Sequence, residues 1–285
     1  MSKIRVVTDS TSDIPISLRG ELGIKVVPLK VHFGKETYLD GVTITPSTFY
    51  EKLVSTEQLP TTSQPAPLDF TQMYESIREE EGEDVEIISI HIAGVLSGTY
   101  QTANIAASMV EDKVKVHVVD SKMASYVFGQ LVVAVARAAR EGKSIEECLD
   151  LARRMKERTQ VLFVVDTLTY LQKGGRIGKA SAFLGSLLNV KPILTLDENG
   201  TVSPFEKLRG KKKAINHIIE ASKNYAGQGP VVMSVIHSAS EEEAVALGEK
   251  IRQEFNVQEL VVTELGPVIG TYTGPGLVGI VVYKL

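Results

Sequence analysis

Val85-Glu86-Ile87-Ile88-Ser89-Ile90-His91-Ile92 runs through Ala93-Gly94-Val95-Leu96-Ser97-Gly98-Thr99 into Tyr100-Gln101-Thr102-Ala103-Asn104-Ile105-Ala106. The first eight residues hold five β-branched side chains and end at small, polar residues, which predicts a buried strand and then a turn. The pattern from Tyr100 to Val110 predicts a helix. The same succession recurs elsewhere. Apolar runs at 4–7 and 114–119 end at Thr8-Asp9-Ser10-Thr11-Ser12 and Asp120-Ser121, with helical patterns beyond. Three strand–loop–helix units predict a parallel sheet covered by helices on both faces. Ligands then sit beyond the carboxyl ends of the strands.

Outward from this core, strands are expected at 23–27 and 29–33. Helices are expected at 46–53 (Thr45 as cap, Pro46 in the first turn), 68–80, 124–141 and 144–159. After Thr159 the rhythm changes. Strands at 161–165, 193–196 and 201–205 surround the hairpin signal Asp197-Glu198-Asn199-Gly200. Helices at 211–225 and 241–255 alternate with strands at 231–237, 260–264 and 277–283. The expected fold is two-domain α/β: an N-terminal parallel-sheet α/β/α domain (1–157) and a C-terminal α+β domain (158–285), with the site in the cleft between them.

The 285 residues carry 31 Lys and Arg against 35 Asp and Glu, a formal charge of −4. That balance, with no Trp and 6% aromatics, argues against a nucleic-acid partner. A single cysteine, Cys148, excludes an intrachain disulfide and is expected to be buried in a helix. No apolar run reaches the ~18 residues of a membrane span. A cytoplasmic location without stable membrane insertion is expected. The five histidines form no H-E-x-x-H or H-x-H pair, so no metal is expected.

Several loops have the residue types of a binding site. Pro60-Thr61-Thr62-Ser63-Gln64-Pro65 holds three hydroxyls between prolines that favour an extended backbone. Leu96-Ser97-Gly98-Thr99 opens a helix, where N–H groups and hydroxyls suit an anion. No G-x-x-x-x-G-K-S/T or G-x-G-x-x-G motif occurs. Arg176 lies in a glycine-rich loop and Arg209 in Lys207-Leu208-Arg209-Gly210-Lys211-Lys212-Lys213, the two basic excesses of the chain. Gly266 to Gly276 is the densest turn chemistry. Asp9, Asp120 and Asp166 are expected to anchor loops by accepting backbone N–H bonds. Ser97 stands in no G-x-S-x-G elbow.

VVTDSTSDIP at 6–15, PTTSQP at 60–65, LSGTYQTA at 96–103, VVDSKMAS at 118–125, YLQKGGRIG at 170–178, LLNVKPIL at 187–194, KLRGKKKA at 207–214 and GPVIGTYTGPG at 266–276 occur in one order. On these motifs the chain resembles the DegV family of bacterial fatty-acid-binding proteins along 4–284. The resemblance implies no catalytic centre, no cofactor and a long-chain fatty acid (C14–C18) in the inter-domain cleft. It implies that Thr62 and Ser97 hold the carboxylate, with Ser63, Gly98, Thr99, Arg176, Arg209, Tyr272 and Thr273 as secondary positions. It also implies, for some members, a separate ATP-binding kinase subunit that phosphorylates the bound acid. Two departures stand out. Ala93-Gly94 replaces a serine pair, and Tyr272 stands where the family has His.

Burial of about 14 methylenes at ~0.8 kcal/mol each gives roughly 11 kcal/mol before ordering costs. A buried carboxylate then needs several donors. Tunnel lining is expected among Ile24, Val26, Leu29, Val31, Ile92, Val127, Phe128 and Leu131. Two competing expectations remain at this point: an enzyme acting on a phosphorylated small molecule in the same cleft, and a module whose KLRGKKK face binds an acidic partner.

Overall fold

The computed structural model describes residues 3–185 and 190–285, so 187–189 of the LLNVKPIL motif lie outside the described residues. A four-stranded parallel sheet forms the N-terminal half. Its order is Lys25–Val27, Lys3–Asp9, Val85–His91, Lys115–Asp120. Helices Pro67–Glu81 and Thr99–Met109 cover one face with Phe70, Tyr74, Ile77, Ala103 and Ala106. Helices Ile16–Leu22, Tyr126–Arg140 and Ile145–Glu157 lie on the other. Ser144 starts the last of these through reciprocal bonds with Glu147, at 3.2 and 2.8 Å. Cys148 is buried in that helix.

The C-terminal half is a six-stranded mixed sheet. Its order is Val202–Arg209, Val190–Leu196, Thr159–Val164, Val278–Lys284, Val231–His237, Val257–Glu264. Helices Lys211–Ala226 and Glu241–Glu254 cover its outer face. Its inner face packs on helix Tyr126–Arg140, which is apolar on nearly every side and sits between the two large sheets. Among the described residues no helix is long and apolar enough to cross a membrane.

The Thr61–Ser63 segment is extended, as the flanking prolines require. It pairs antiparallel with Lys30–Phe33, which also pairs with Glu36–Leu39, making a third, three-stranded sheet. This sheet and helix Pro46–Ser55 pack their buried side chains against Val268. Gly266 to Gly276, expected as a turn cluster, instead contains the helix Pro267–Thr273. Pro267 occupies the first turn, where its missing N–H costs nothing. Gly274, at φ +68°, ends the helix. The strand expected at 201–205 continues to Arg209, so the KLRGKKK run divides between a strand and a helix start. The lysines there are partnered in part: Lys211 Nζ lies 2.7 Å from Glu243.

Candidate functional site

A slot opens between the two halves, with about 800 Å³ of atom-free space, open mouth included. Its walls are mostly aliphatic. Leu29, Ile92, Leu96 and Val127 come from the N-terminal half, and Val161, Phe163, Ile236 and Leu277 from the C-terminal half. Of the expected lining residues, Leu29, Ile92 and Val127 face the slot. Ile24, Val26, Phe128 and Leu131 pack in the central core instead, and Val31 under the small sheet. The sequence reading missed Phe163, Ile236 and Leu277. Phe163 and Ile236 sit on a sheet whose buried strands are apolar on both faces, so periodicity does not show which face meets a cavity, and Leu277 lies just before its strand Val278–Lys284.

Polar groups gather around Thr62, Ser97, Arg176 and Tyr272, all lining the slot. Thr62 Oγ1 is 2.6 Å from the Tyr272 hydroxyl. Ser97 Oγ is 2.9 Å from Thr99 Oγ1 and accepts the Thr99 N–H at 3.3 Å. The Arg176 guanidinium lies 4.8 Å from the centre of the Tyr272 ring, a cation–π contact. It is fixed there by donating to the carbonyls of Leu96 (3.2 Å) and Gly174 (2.9 Å). Gly174 is required. A Cβ at that position would sit 2.4 Å from Tyr272 Cδ1.

The two hydroxyl loops interlock. Gln64 donates to Thr102 Oγ1 at 2.8 Å and presses on Gly98, where a Cβ would come within 2.2 Å of its Oε1. Gly98 thus permits the contact that ties the loop of Thr62 to the loop of Ser97. Thr273 lines the slot, while Ser63 points back to His32 at 2.9 Å. Arg209 is exposed at the end of its strand and does not line the slot. The departure at 93–94 is built into the packing. Ala93 is fully buried, with its Cβ 2.7 Å from where a Cβ on Gly200 would stand.

Another part of the slot wall, at Ser125 and Leu265, is tied by carboxylates. Asp13 accepts the Ser125 hydroxyl at 2.6 Å and the Gly266 N–H at 3.0 Å. Ser125 lines the slot at φ 57°, ψ −158°, a region costly for a residue with a Cβ. Asp40 accepts the Ser10 hydroxyl at 2.8 Å. Burial, then the neighbouring Asp40, pushes the Asp13 carboxyl well above the usual range. Burial likewise raises Asp40 to about 7.

The remaining sequence candidates are structural. Asp9 accepts the N–H groups of Thr11 and Ile92 and contacts His91 Nδ1 at 3.0 Å. His91 Nε2 meets Ser89, which meets the Tyr74 hydroxyl, and all four side chains are buried away from the slot. Asp120 accepts the N–H groups of Gly94 and Lys122. Asp166, expected to hold a loop backbone, instead pairs with Lys191 at 2.7 Å.

An apolar slot lined at one part by hydroxyls and a guanidinium suits a long alkyl chain ending in an anionic group. Known proteins share the whole architecture. The family model described as "Uncharacterised protein, DegV family" matches residues 3–285. Protein DegV of Bacillus subtilis is 39% identical over 280 residues, covering 97% of this chain and 98% of that protein. A structure described as fatty acid binding of a DegV family protein from Thermus thermophilus superposes with a TM-score of 0.92 at 41% identity, covering all of both chains. A stearic-acid-binding protein from Eubacterium ventriosum superposes at 0.90 with 26% identity, covering 100% of this chain and 98% of that one. The slot, the hydroxyl loops and these full-length matches together establish that this chain belongs to the DegV family.

Proposed function

We propose that this protein binds a long-chain fatty acid, C14–C18, with its tail in the slot and its carboxylate held by Thr62 and Ser97. The observation that carries the reading is the convergence of Thr62, Ser97, Arg176 and Tyr272 on an otherwise aliphatic slot. Relatives described as fatty-acid-binding share its full-length fold. Tyr272 and Thr62 share one hydrogen bond and are poised to reorient toward an incoming carboxylate. Arg176 supplies the positive charge and Thr99 supports Ser97. The chain acts as a carrier and has no catalytic centre of its own. Lipid extraction and native mass spectrometry of gently purified protein test this. A co-purified C14–C18 acid in near-equal molar ratio is expected. Protein that neither retains nor takes up any such acid overturns the reading.

A second step is favoured by the exposure of Arg176 beside the carboxylate position. The protein presents the bound acid to a separate ATP-binding kinase subunit, which forms the acyl phosphate. The loaded protein, ATP and the kinase subunit should together yield acyl phosphate, and the loaded protein with ATP alone should yield none. Acyl phosphate formed without the partner would instead support the enzyme reading.

A further inference from the structure

A second groove, which shares no lining residue with the slot, follows helix Tyr126–Arg140. Tyr126, Gln130, Ala134, Arg137 and Glu141 line it at steps of three or four residues. One stripe of the 15-residue helix therefore faces the groove over its whole length, about 22 Å. Other walls come from Val232 and Val261 of the six-stranded sheet and Met155 of helix Ile145–Glu157. The groove contains about 790 Å³ of atom-free space, open to solvent.

Two polar groups in these walls lack partners. Gln130 is 5% exposed, and its Nε2 is buried with no partner among the described residues. An amide nitrogen can donate two hydrogen bonds. The one bond this side chain makes is at its oxygen, which accepts from Ser234 Oγ at 3.3 Å. One helical turn away on the same stripe, the buried Tyr126 hydroxyl bonds no described residue either. A buried donor without an acceptor costs stability, so packing alone does not account for the amide.

The charges show what kind of acceptor fits. Arg137 is the one cation among the described residues lining the groove. Both its terminal nitrogens are taken by Glu259, at 2.6 and 3.0 Å. Glu141 adds a negative charge at the helix end. An anion entering this groove would thus find no free counter-charge, whereas a neutral oxygen would find the donors of Gln130 and Tyr126. We infer that this groove is a second ligand site, separate from the slot, for an uncharged alkyl molecule that carries a carbonyl oxygen. Its chain lies along the helix stripe and its oxygen takes the Gln130 amide.

The probe is 2-nonanone, a neutral nine-carbon ketone, compared with nonanoate, its anionic counterpart. The readout is the methyl NMR signal of Met155 in methionine-labelled protein, since Met155 lines the groove and not the slot. The ketone should shift this signal saturably, and nonanoate should leave it in place. Met233, buried under the outer helices of the same sheet, should not move with either. Gln130→Leu removes the donor in about the same volume. It should weaken the ketone about 2- to 12-fold and raise the melting temperature of the free protein. If Gln130→Leu does not fold, Ala134→Leu, which fills the groove from a half-buried position, must abolish the Met155 response. No response to the ketone overturns the site. An equal response to nonanoate overturns the choice of a neutral ligand, and undiminished ketone affinity in Gln130→Leu overturns the part given to the amide. None of these outcomes depends on whether the slot takes a fatty acid.

Discussion

Asp13 accepts the backbone N–H of Gly266 at 3.0 Å across 253 residues of sequence. The bond joins the first loop of the parallel sheet to the segment that enters helix Pro267–Thr273. Nearby, the Tyr50 hydroxyl donates to the Leu265 carbonyl at 3.1 Å and the Thr263 hydroxyl to the Asp13 carbonyl at 3.1 Å. Leu265 and Val268 are slot walls, so these bonds hold the slot's shape as well as the joint.

The joint makes stability depend on pH. Asp40 is raised from 3.8 to about 7, and Asp13 is raised as well, chiefly by burial. A raised carboxyl pKa means that the fold favours the protonated form. Its contribution is therefore complete below the unfolded value and shrinks as pH climbs toward the folded one. Between pH 5 and 8 the melting temperature should fall, and Asp40→Asn should flatten that slope. An identical slope in the variant would sink the assignment.

Removing both hydroxyls, Thr62→Ala with Ser97→Ala, should weaken acid retention by ~1.5–3 kcal/mol per lost charge-assisted bond, about 10- to 150-fold each. The melting temperature of lipid-free protein should change little, since both side chains face the slot. Equilibrium exchange of a labelled acid measures the effect, and undiminished retention refutes the carboxylate position.

Tyr272→Phe keeps the ring under Arg176 and removes only the hydroxyl that meets Thr62. A loss of ~0.5–1.5 kcal/mol in acid affinity is expected, about 2- to 12-fold. Tyr272→Ala should lose more, because the Arg176 stack goes too. Equal affinities for the two variants would show that the stack contributes nothing.

The buried Asp9–His91–Ser89–Tyr74 chain is structural. His91→Ala leaves Asp9 and Ser89 short of a partner beside a new cavity, at a cost of roughly 2–5 kcal/mol. Denaturant titration should show that loss, while acid bound per folded molecule stays constant. Full stability with acid binding abolished would contradict it.

The parallel-sheet half was legible because its signals are local. β-branched runs such as Val85–His91 end at polar turns, and Ser144 and Glu147 mark a helix start within four residues. The loops at 60–65 and 96–99 stood out for the same reason, as hydroxyls on constrained backbone, whereas the choice of Thr62 and Ser97 within them came from the family resemblance. Long-range facts were hidden. Phe163 and Ile236 flank Gly279 on the neighbouring strands, where a Cβ would come within 2.8 Å of Phe163 and 3.0 Å of Ile236, a cross-strand relationship that no local pattern shows. Ser125 gave no warning of its unusual backbone, which Asp13 fixes from 112 residues away. The helix at 267–273 was masked by its glycines, although Pro267 at its start was a usable clue.

Thr62 belongs to the three-stranded sheet, Ser97 to a loop of the parallel sheet and Tyr272 to a helix leading into the six-stranded one. An occupant grasped by all three acts as a non-covalent staple across separately built bodies. Its free energy of association is also free energy of assembly, growing with the logarithm of its concentration. Starved of lipid, the molecule should come apart at these seams before either large sheet melts.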